Sequence, residues 1–163
     1  MSSAQHNLSS FLTDLKLSSD VKVGIVVSEW NEEITNALLY GAKHTLFQAG
    51  LTSSQIIVKQ VPGSFELVLG AQLLMENHQL DAVICLGCVI QGETPHFTFI
   101  SQAVADGIMR LNIDYNRPVI FGVLTVNTLV QAKDRSGGKH GNKGDEAAST
   151  AIRMIALQKE TEK

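Results

Sequence analysis

The chain has 163 residues, 44% of them hydrophobic and 18% charged, the size of one ordinary domain able to bury a substantial core. Its formal net charge of -3 comes from 16 acidic and 13 basic residues spread along the sequence, which excludes the concentrated basic face that tracks nucleic-acid backbones. No apolar run approaches the roughly 20 residues of a membrane span, and Met1-Ser2-Ser3-Ala4-Gln5-His6 lacks a basic region leading into an apolar one, so a cytoplasmic protein is expected.

Residues 1–20 show no firm period and stand apart from the rest. Phe11, Leu12, Leu15 and Leu17 suit an edge strand or turn, for instance against a neighbouring subunit, while residues 21–163 read as a single domain. The first apolar, β-branched run is Val21 to Val27, a strand that leads into Ser28-Glu29-Trp30-Asn31. This loop holds the only tryptophan, which either stacks on a flat ligand or packs under the loop. Ile34, Ala37, Leu38, Ala42 and Leu46 then recur at helical spacing. A second strand, Gln55 to Val61, runs into Val61-Pro-Gly-Ser-Phe-Glu66, a Pro-Gly turn that opens a helix. Its exposed amides and Ser64 suit a carbonyl-bearing ligand, or it is an ordinary capped turn. Phe65 to Met75 is apolar on nearly all sides, as a doubly packed helix requires.

The third strand, Ala82 to Ile90, contains both cysteines, Cys85 and Cys88. Their C-x-x-C spacing suggests a redox pair or half a zinc site, but positions three apart on a strand point to opposite faces. Two buried small hydrophobes are the expectation. After this strand come Gln91, Gly92, Glu93, Thr94, Pro95 and His96, where Thr94 has the chemistry of an N-cap and Pro95 that of a first helical position. The amides and positive dipole end of that helix make a seat for phosphate, with Gly92 allowing close backbone approach. His96 in the first turn is either a proton-transferring group, held toward the neutral form by the same dipole, or a histidine that merely satisfies the helix end.

The helix continues with Phe97, Ile100, Ala103, Val104, Gly107, Ile108 and Leu111 on one stripe, and Pro118 to Thr125 is the fourth strand. Gln131 to Gly144 reads as a flexible, glycine-rich basic loop with Lys133, Arg135, Lys139 and Lys143. It is either an anion site, with Arg135 as the forked phosphate contact, or a solvated basic turn. A last helix runs from Asp145 to about Lys159 and carries Ala148, Ala151, Ile152 and Ile155. Strictly alternating strands and helices with continuously apolar strands predict a doubly wound α/β domain, a four-stranded parallel sheet between two helical layers. Ligands of such folds sit outside the carboxyl ends of the strands, here near Ser28, Val61, Ile90 and Thr125.

Five segments in order, each at a predicted strand end or just beyond it, resemble the lumazine synthase family. They are Trp30-Asn31, Val61-Pro-Gly-Ser-Phe-Glu66, Gly87-Cys-Val-Ile-Gln-Gly-Glu-Thr-Pro-His-Phe97, Pro118-Val-Ile-Phe-Gly-Val-Leu-Thr125 and Gly141-Asn-Lys-Gly144. The resemblance runs from about Val21 to Leu157 and implies a flavodoxin-like fold. It implies a transferase of riboflavin biosynthesis that condenses 5-amino-6-(D-ribitylamino)uracil with 3,4-dihydroxy-2-butanone 4-phosphate and releases phosphate and water, with neither metal nor organic cofactor. It further implies that Trp30, with Asn31, meets the pyrimidine, and that Ser64, Phe65, Glu66, Cys88, Val89 and Ile90 bind the ring and ribityl chain. Gly92, Glu93, Thr94 and Arg135 would bind phosphate, with His96 as proton donor and acceptor. Phe121, Arg135, Lys143 and Glu146 would come from a neighbouring subunit of a homopentamer. The family includes icosahedral shells of pentamers, and the chain has no insertion near Gly137-Gly138 of the kind that marks free pentamers. Association with riboflavin synthase is a further implied partnership.

Trp30 stands where many members have Phe, Ser64 where many have Ala, and Gln91 where Arg is frequent; the last lowers positive charge beside the phosphate seat. A non-catalytic flavin or lumazine carrier of the same fold is the chief alternative, and it has no need of His96. A response-regulator receiver is excluded because the third strand ends in Gly87-Cys88-Val89 rather than a phosphate-accepting aspartate. A flavodoxin proper would want a Ser/Thr-rich loop in place of Glu29-Trp30-Asn31.

Overall fold

A computed structural model of the chain describes residues 16–161. The four apolar runs form strands β1 (Val23–Ser28), β2 (Ile56–Val61), β3 (Ala82–Ile90) and β4 (Val119–Val126). All pair in parallel in the order β2-β1-β3-β4. Five helices join and cover them: α1 (Glu32–Gln48), α2 (Leu67–Asn77), α3 (His96–Tyr115), α4 (Leu129–Arg135) and α5 (Lys143–Thr161). The expected doubly wound, three-layer architecture is therefore the observed one.

Period-2 alternation divides the strand side chains between two cores. Ile25, Ile84 and Leu86 pack with Ile34, Leu38 and Leu46 of α1 and Ile152 and Ile155 of α5. Val26, Val83 and Cys85 pack on the other face with Leu67 and Leu74 of α2 and Val104, Ile108 and Leu111 of α3. Burial on both faces is why β1 and β3 read as unbroken apolar runs, whereas β2, at an edge of the sheet, carries the exposed Lys59 and Gln60.

The cysteines follow that alternation. Cys85 lies in one core and Cys88 in the other, both as free thiols. Burial pushes the Cys85 thiol up to about 12 and that of Cys88 up to about 11, so neither forms thiolate near neutrality. The native protein at pH 8 should accordingly resist a thiol-specific chromogenic reagent, whereas the denatured chain reacts with two equivalents. Rapid labelling of the folded protein would contradict this placement.

Several expectations are corrected. The third helix begins at His96, with Pro95 at the N-cap (φ -65°, ψ 0°), so Thr94 lies before the cap rather than on it. The proline ring already fixes the helical φ there, and the Pro95 carbonyl accepts from the amides of Thr98 and Phe99. Residues 131–144 are not a flexible loop. Leu129–Arg135 is α4, capped by the Thr128 side chain accepting from the Gln131 amide, and a two-stranded antiparallel ribbon follows, β5 (Ser136–Gly138) and β6 (Gly141–Asn142). Gly137 and Gly141 take φ of 120° and 74°, values that tighten the ribbon rather than loosen it. The last helix starts at Lys143, two residues before the expected Asp145.

Among the described residues α2 is packed on one side only. Leu67, Ala71 and Leu74 are buried, while Leu69 and Leu73 face outward. Of the N-terminal apolar residues, Leu17 is half-buried against the α1 side of the core, and its amide donates to the Ala49 carbonyl at 2.9 Å. Phe11, Leu12 and Leu15 lie outside the described residues.

Candidate active site

The parallel ladder opens at its carboxyl edge. Pairing of β1 with β3 ends at Val27 opposite Leu86, whereas β1 stays with β2 to Ser28 and Val61, and β3 stays with β4 to Ile90 and Val126. Backbone bonds beyond the strands continue the separation. Glu29 and Trp30 donate to the carbonyls of Val61 and Pro62, and Gln91 donates to that of Val126. The sheet thus splits into two pairs at the point where strand order reverses, and such a crevice is where open α/β sheets bind ligands.

A cleft of about 600 Å³ fills that crevice. It is lined by Trp30 and Asn31 from β1, Gly63, Ser64, Phe65 and Glu66 from β2, Cys88, Val89 and Ile90 from β3, and His96 and Ile100 from α3. Every residue assigned by resemblance to the pyrimidine and ribityl chain is here except Phe121, and His96 is with them. Trp30 is 73% exposed and Phe65 56%, so both offer ring faces to a ligand rather than packing under their loops. The Ser64 hydroxyl is buried beneath the cleft without a hydrogen-bond partner among the described residues, in space that a side chain on Gly87 would occupy.

Two lining residues have signals that sequence reasoning passed over. Ile100 lies on the apolar α3 stripe, whose helical spacing points only to the core. A Cβ on Gly63 would lie 3.0 Å from a Glu66 carboxylate oxygen and 3.6 Å from the Trp30 ring, so the Pro-Gly turn is also the gap between those side chains.

The segment expected to bind phosphate, Gly92 to Thr94, leads into His96 of this cleft. His96 occupies the first turn of α3, whose leading amides have no intrahelical acceptor. Gly92, Glu93 and Thr94 are exposed in front of it, and a Cβ on Gly92 would meet nothing within 4 Å, leaving open space for a ligand.

Phe121, Arg135, Lys143 and Glu146 lie elsewhere. They line a separate groove of about 680 Å³ along β4, one of the two edge strands of the sheet, with Asn112, Thr125 and Met154 beside them. The two clefts share no lining residue. Lys143 and Glu146 form a half-buried ion pair at 2.6 Å, and one guanidinium nitrogen of Arg135 donates to the Gln131 carbonyl at 3.1 Å. That bond fixes Arg135 at the end of α4 while its other donors remain for an anion. Burial raises the carboxyl of neighbouring Asp145, an effect opposed by the His44 charge and a hydrogen bond with Thr45.

Among the described residues no cluster of three His, Cys, Asp or Glu suits a metal ion, and no helix is long and apolar enough to cross a membrane.

Residues 20–159 match the sequence pattern of the 6,7-dimethyl-8-ribityllumazine synthase family. A protein of that name from Cytophaga hutchinsonii is 58% identical over 156 residues, spanning 96% of this chain and 98% of its own. One from Porphyromonas gingivalis is 50% identical, spanning 98% and 99%. One from Phocaeicola vulgatus is 45% identical, spanning 100% and 98%.

Proposed function

The chain belongs to the 6,7-dimethyl-8-ribityllumazine synthase family, and we infer from its two clefts how it performs that reaction. It is a transferase that condenses 5-amino-6-(D-ribitylamino)uracil with 3,4-dihydroxy-2-butanone 4-phosphate to the lumazine, phosphate and water, the penultimate step of riboflavin biosynthesis. The observation that carries the mechanism is the division of the site. The ring-binding groups and His96 share the cleft between β1 and β3, while Phe121, Arg135, Lys143 and Glu146 share the groove along β4. Neither cleft alone meets both substrates' needs.

The complete site forms where the groove of one copy closes over the cleft of the next, in a homopentamer. The outward apolar side chains Leu69, Leu73, Phe99, Met109 and Ile113 on α2 and α3 support a neighbour, because the described residues of one chain leave them exposed. Trp30 and the partner's Phe121 hold the pyrimidine. Ser64, Phe65, Glu66, Cys88, Val89 and Ile90 bind ring and ribityl groups, and Gly92, Glu93, Thr94 and Arg135 hold the phosphate, with Lys143 and Glu146 in support.

The ring amine attacks the ketone of the phosphate-bearing substrate. His96 passes protons as the carbinolamine loses water to the imine, phosphate departs toward Arg135 and the start of α3, and the ribitylamino nitrogen then closes the second ring on the remaining carbonyl, with loss of a second water, to give the lumazine. No resident metal or cofactor enters these steps. A mere carrier of the same fold would have no use for a histidine in the cleft. The short β5-β6 turn, free of insertion, supports closure of pentamers into an icosahedral shell. A cytoplasmic location and association with riboflavin synthase complete the proposal.

Mixing the purified protein with both substrates in metal-free buffer should yield lumazine absorbance and phosphate in equal amounts above the uncatalysed rate. Binding without turnover would contradict the mechanism. In sedimentation the protein should run as a large shell, and free pentamers alone would refute the icosahedral assembly.

A further inference from the structure

Asn31 occupies an N-cap position in an unusual way. An N-cap asparagine ordinarily takes extended backbone angles and accepts a bond from the first helical turn. Here it is left-handed (φ 61°, ψ 47°), its side chain makes no cap bond, and its Nδ2 instead donates to the Cys88 carbonyl at 2.9 Å. Its own carbonyl still starts α1 by accepting from Ile34 and Thr35. The departure has a reason in the ladder. Val83 and Gln91 donate toward β4, to Pro118 and Val126, so alternation turns the polar groups of Cys88 toward β1. Pairing with β1 has already ended at Leu86, and that carbonyl has lost its strand partner. The Asn31 amide replaces it.

We propose that Asn31 is a positioning residue that sets the width of the ring-binding cleft, tying the Trp30 wall to the Cys88-Val89-Ile90 wall across the opening of the sheet; this rests on the pyrimidine assignment made above. The helix cap is forgone so that the side chain spans the crevice. Among non-glycine residues, asparagine is best suited both to the left-handed backbone and to carrying an amide donor on a short arm.

The test compares Asn31→Gly, which keeps the backbone and deletes the tie, with Asn31→Ala, which loses both. The pyrimidine substrate alone is titrated while the fluorescence of Trp30, the sole tryptophan, is followed. Asn31→Gly should bind roughly 10-fold more weakly, the loss of one part-buried hydrogen bond, and its KM for the pyrimidine should rise more than its kcat falls. Asn31→Ala should be at least as impaired and should also melt lower. Hydrogen exchange of the ligand-free protein gives an independent reading. Amides in residues 29–34 and 88–91 should exchange faster in Asn31→Gly than in the parent. Unchanged exchange there, or unchanged pyrimidine affinity, overturns the proposal. A parent protein that binds no pyrimidine, with exchange faster in the variant, overturns the site assignment and leaves the tie standing.

Discussion

Replacing His96 by alanine should lower kcat about 100-fold while leaving turnover measurable, the lower end of what a positioned acid or base contributes. The residual rate has a physical source, because two reactive substrates held together in the right orientation still react without the proton carrier. His96 is exposed at the start of α3, so its loss removes no core contact and the variant should fold. His96 lines the cleft with Trp30 and Cys88 rather than the groove that holds Arg135, so on the proposed reading the imidazole acts at the pyrimidine ring. The expected pattern is therefore a drop in kcat with little change in pyrimidine affinity. A kcat equal to that of the parent would remove His96 from the mechanism.

Gly144→Ala should destabilise the fold by about 3 kcal/mol or more, at or beyond the upper end of ordinary overpacking. Gly144 lies in the first turn of α5, and a Cβ there would sit against the Leu38 carbonyl oxygen of α1. The obstacle is backbone, which cannot rotate aside as a flexible side chain would. Gly41 on α1 answers it, since a Cβ there would run into Asp145 and Asn142. Asn142 locks the contact, donating from Nδ2 to the Ala37 carbonyl and accepting from the Gly144 amide, each at 2.8 Å. A methyl group must part these helices and break that fork. Because Lys143 and Glu146 occupy the same turn, activity should fall with stability. Urea denaturation of parent and variant measures the difference, and equal midpoints would contradict the account.

Much of this was legible in the sequence. Val23–Ser28 and Ala82–Ile90 announce themselves because both faces of their sheet are covered, and the loops after them hold Trp30, Asn31 and His96, whose chemistry stands out from apolar surroundings. Leu129–Arg135 carries no helical signature in the sequence, because seven residues give fewer than two full periods of any helical pattern. The ribbon beyond it reads as a loop because Gly137 and Gly141 signal conformational freedom in a sequence, and only their positive φ shows that the freedom is used to make a tight turn. The start of α3 shifted by one residue because proline suits the N-cap and the first turn nearly alike.

The split of the site has no local signature. The motifs holding Ser64 and His96 and those holding Phe121 and Arg135 alternate along one sequence, and only the sheet order sends them to a central crevice and an outer edge. The apolar residues of α2 likewise declare that both sides are to be covered, without declaring by what. Leu69 and Leu73 find no cover among the described residues.

The central claim, that each working site joins the cleft of one copy to the groove of another, is tested most directly by mixing His96→Ala and Arg135→Ala chains. Each variant alone should be strongly impaired at low butanone phosphate, the first through lost proton transfer and the second through lost phosphate binding. If equal amounts are unfolded together and reassembled, roughly a quarter of the sites around a closed ring should pair an intact cleft with an intact groove, and lumazine formation should recover in proportion. Activity no greater than the average of the two separately refolded variants would contradict a site shared between copies.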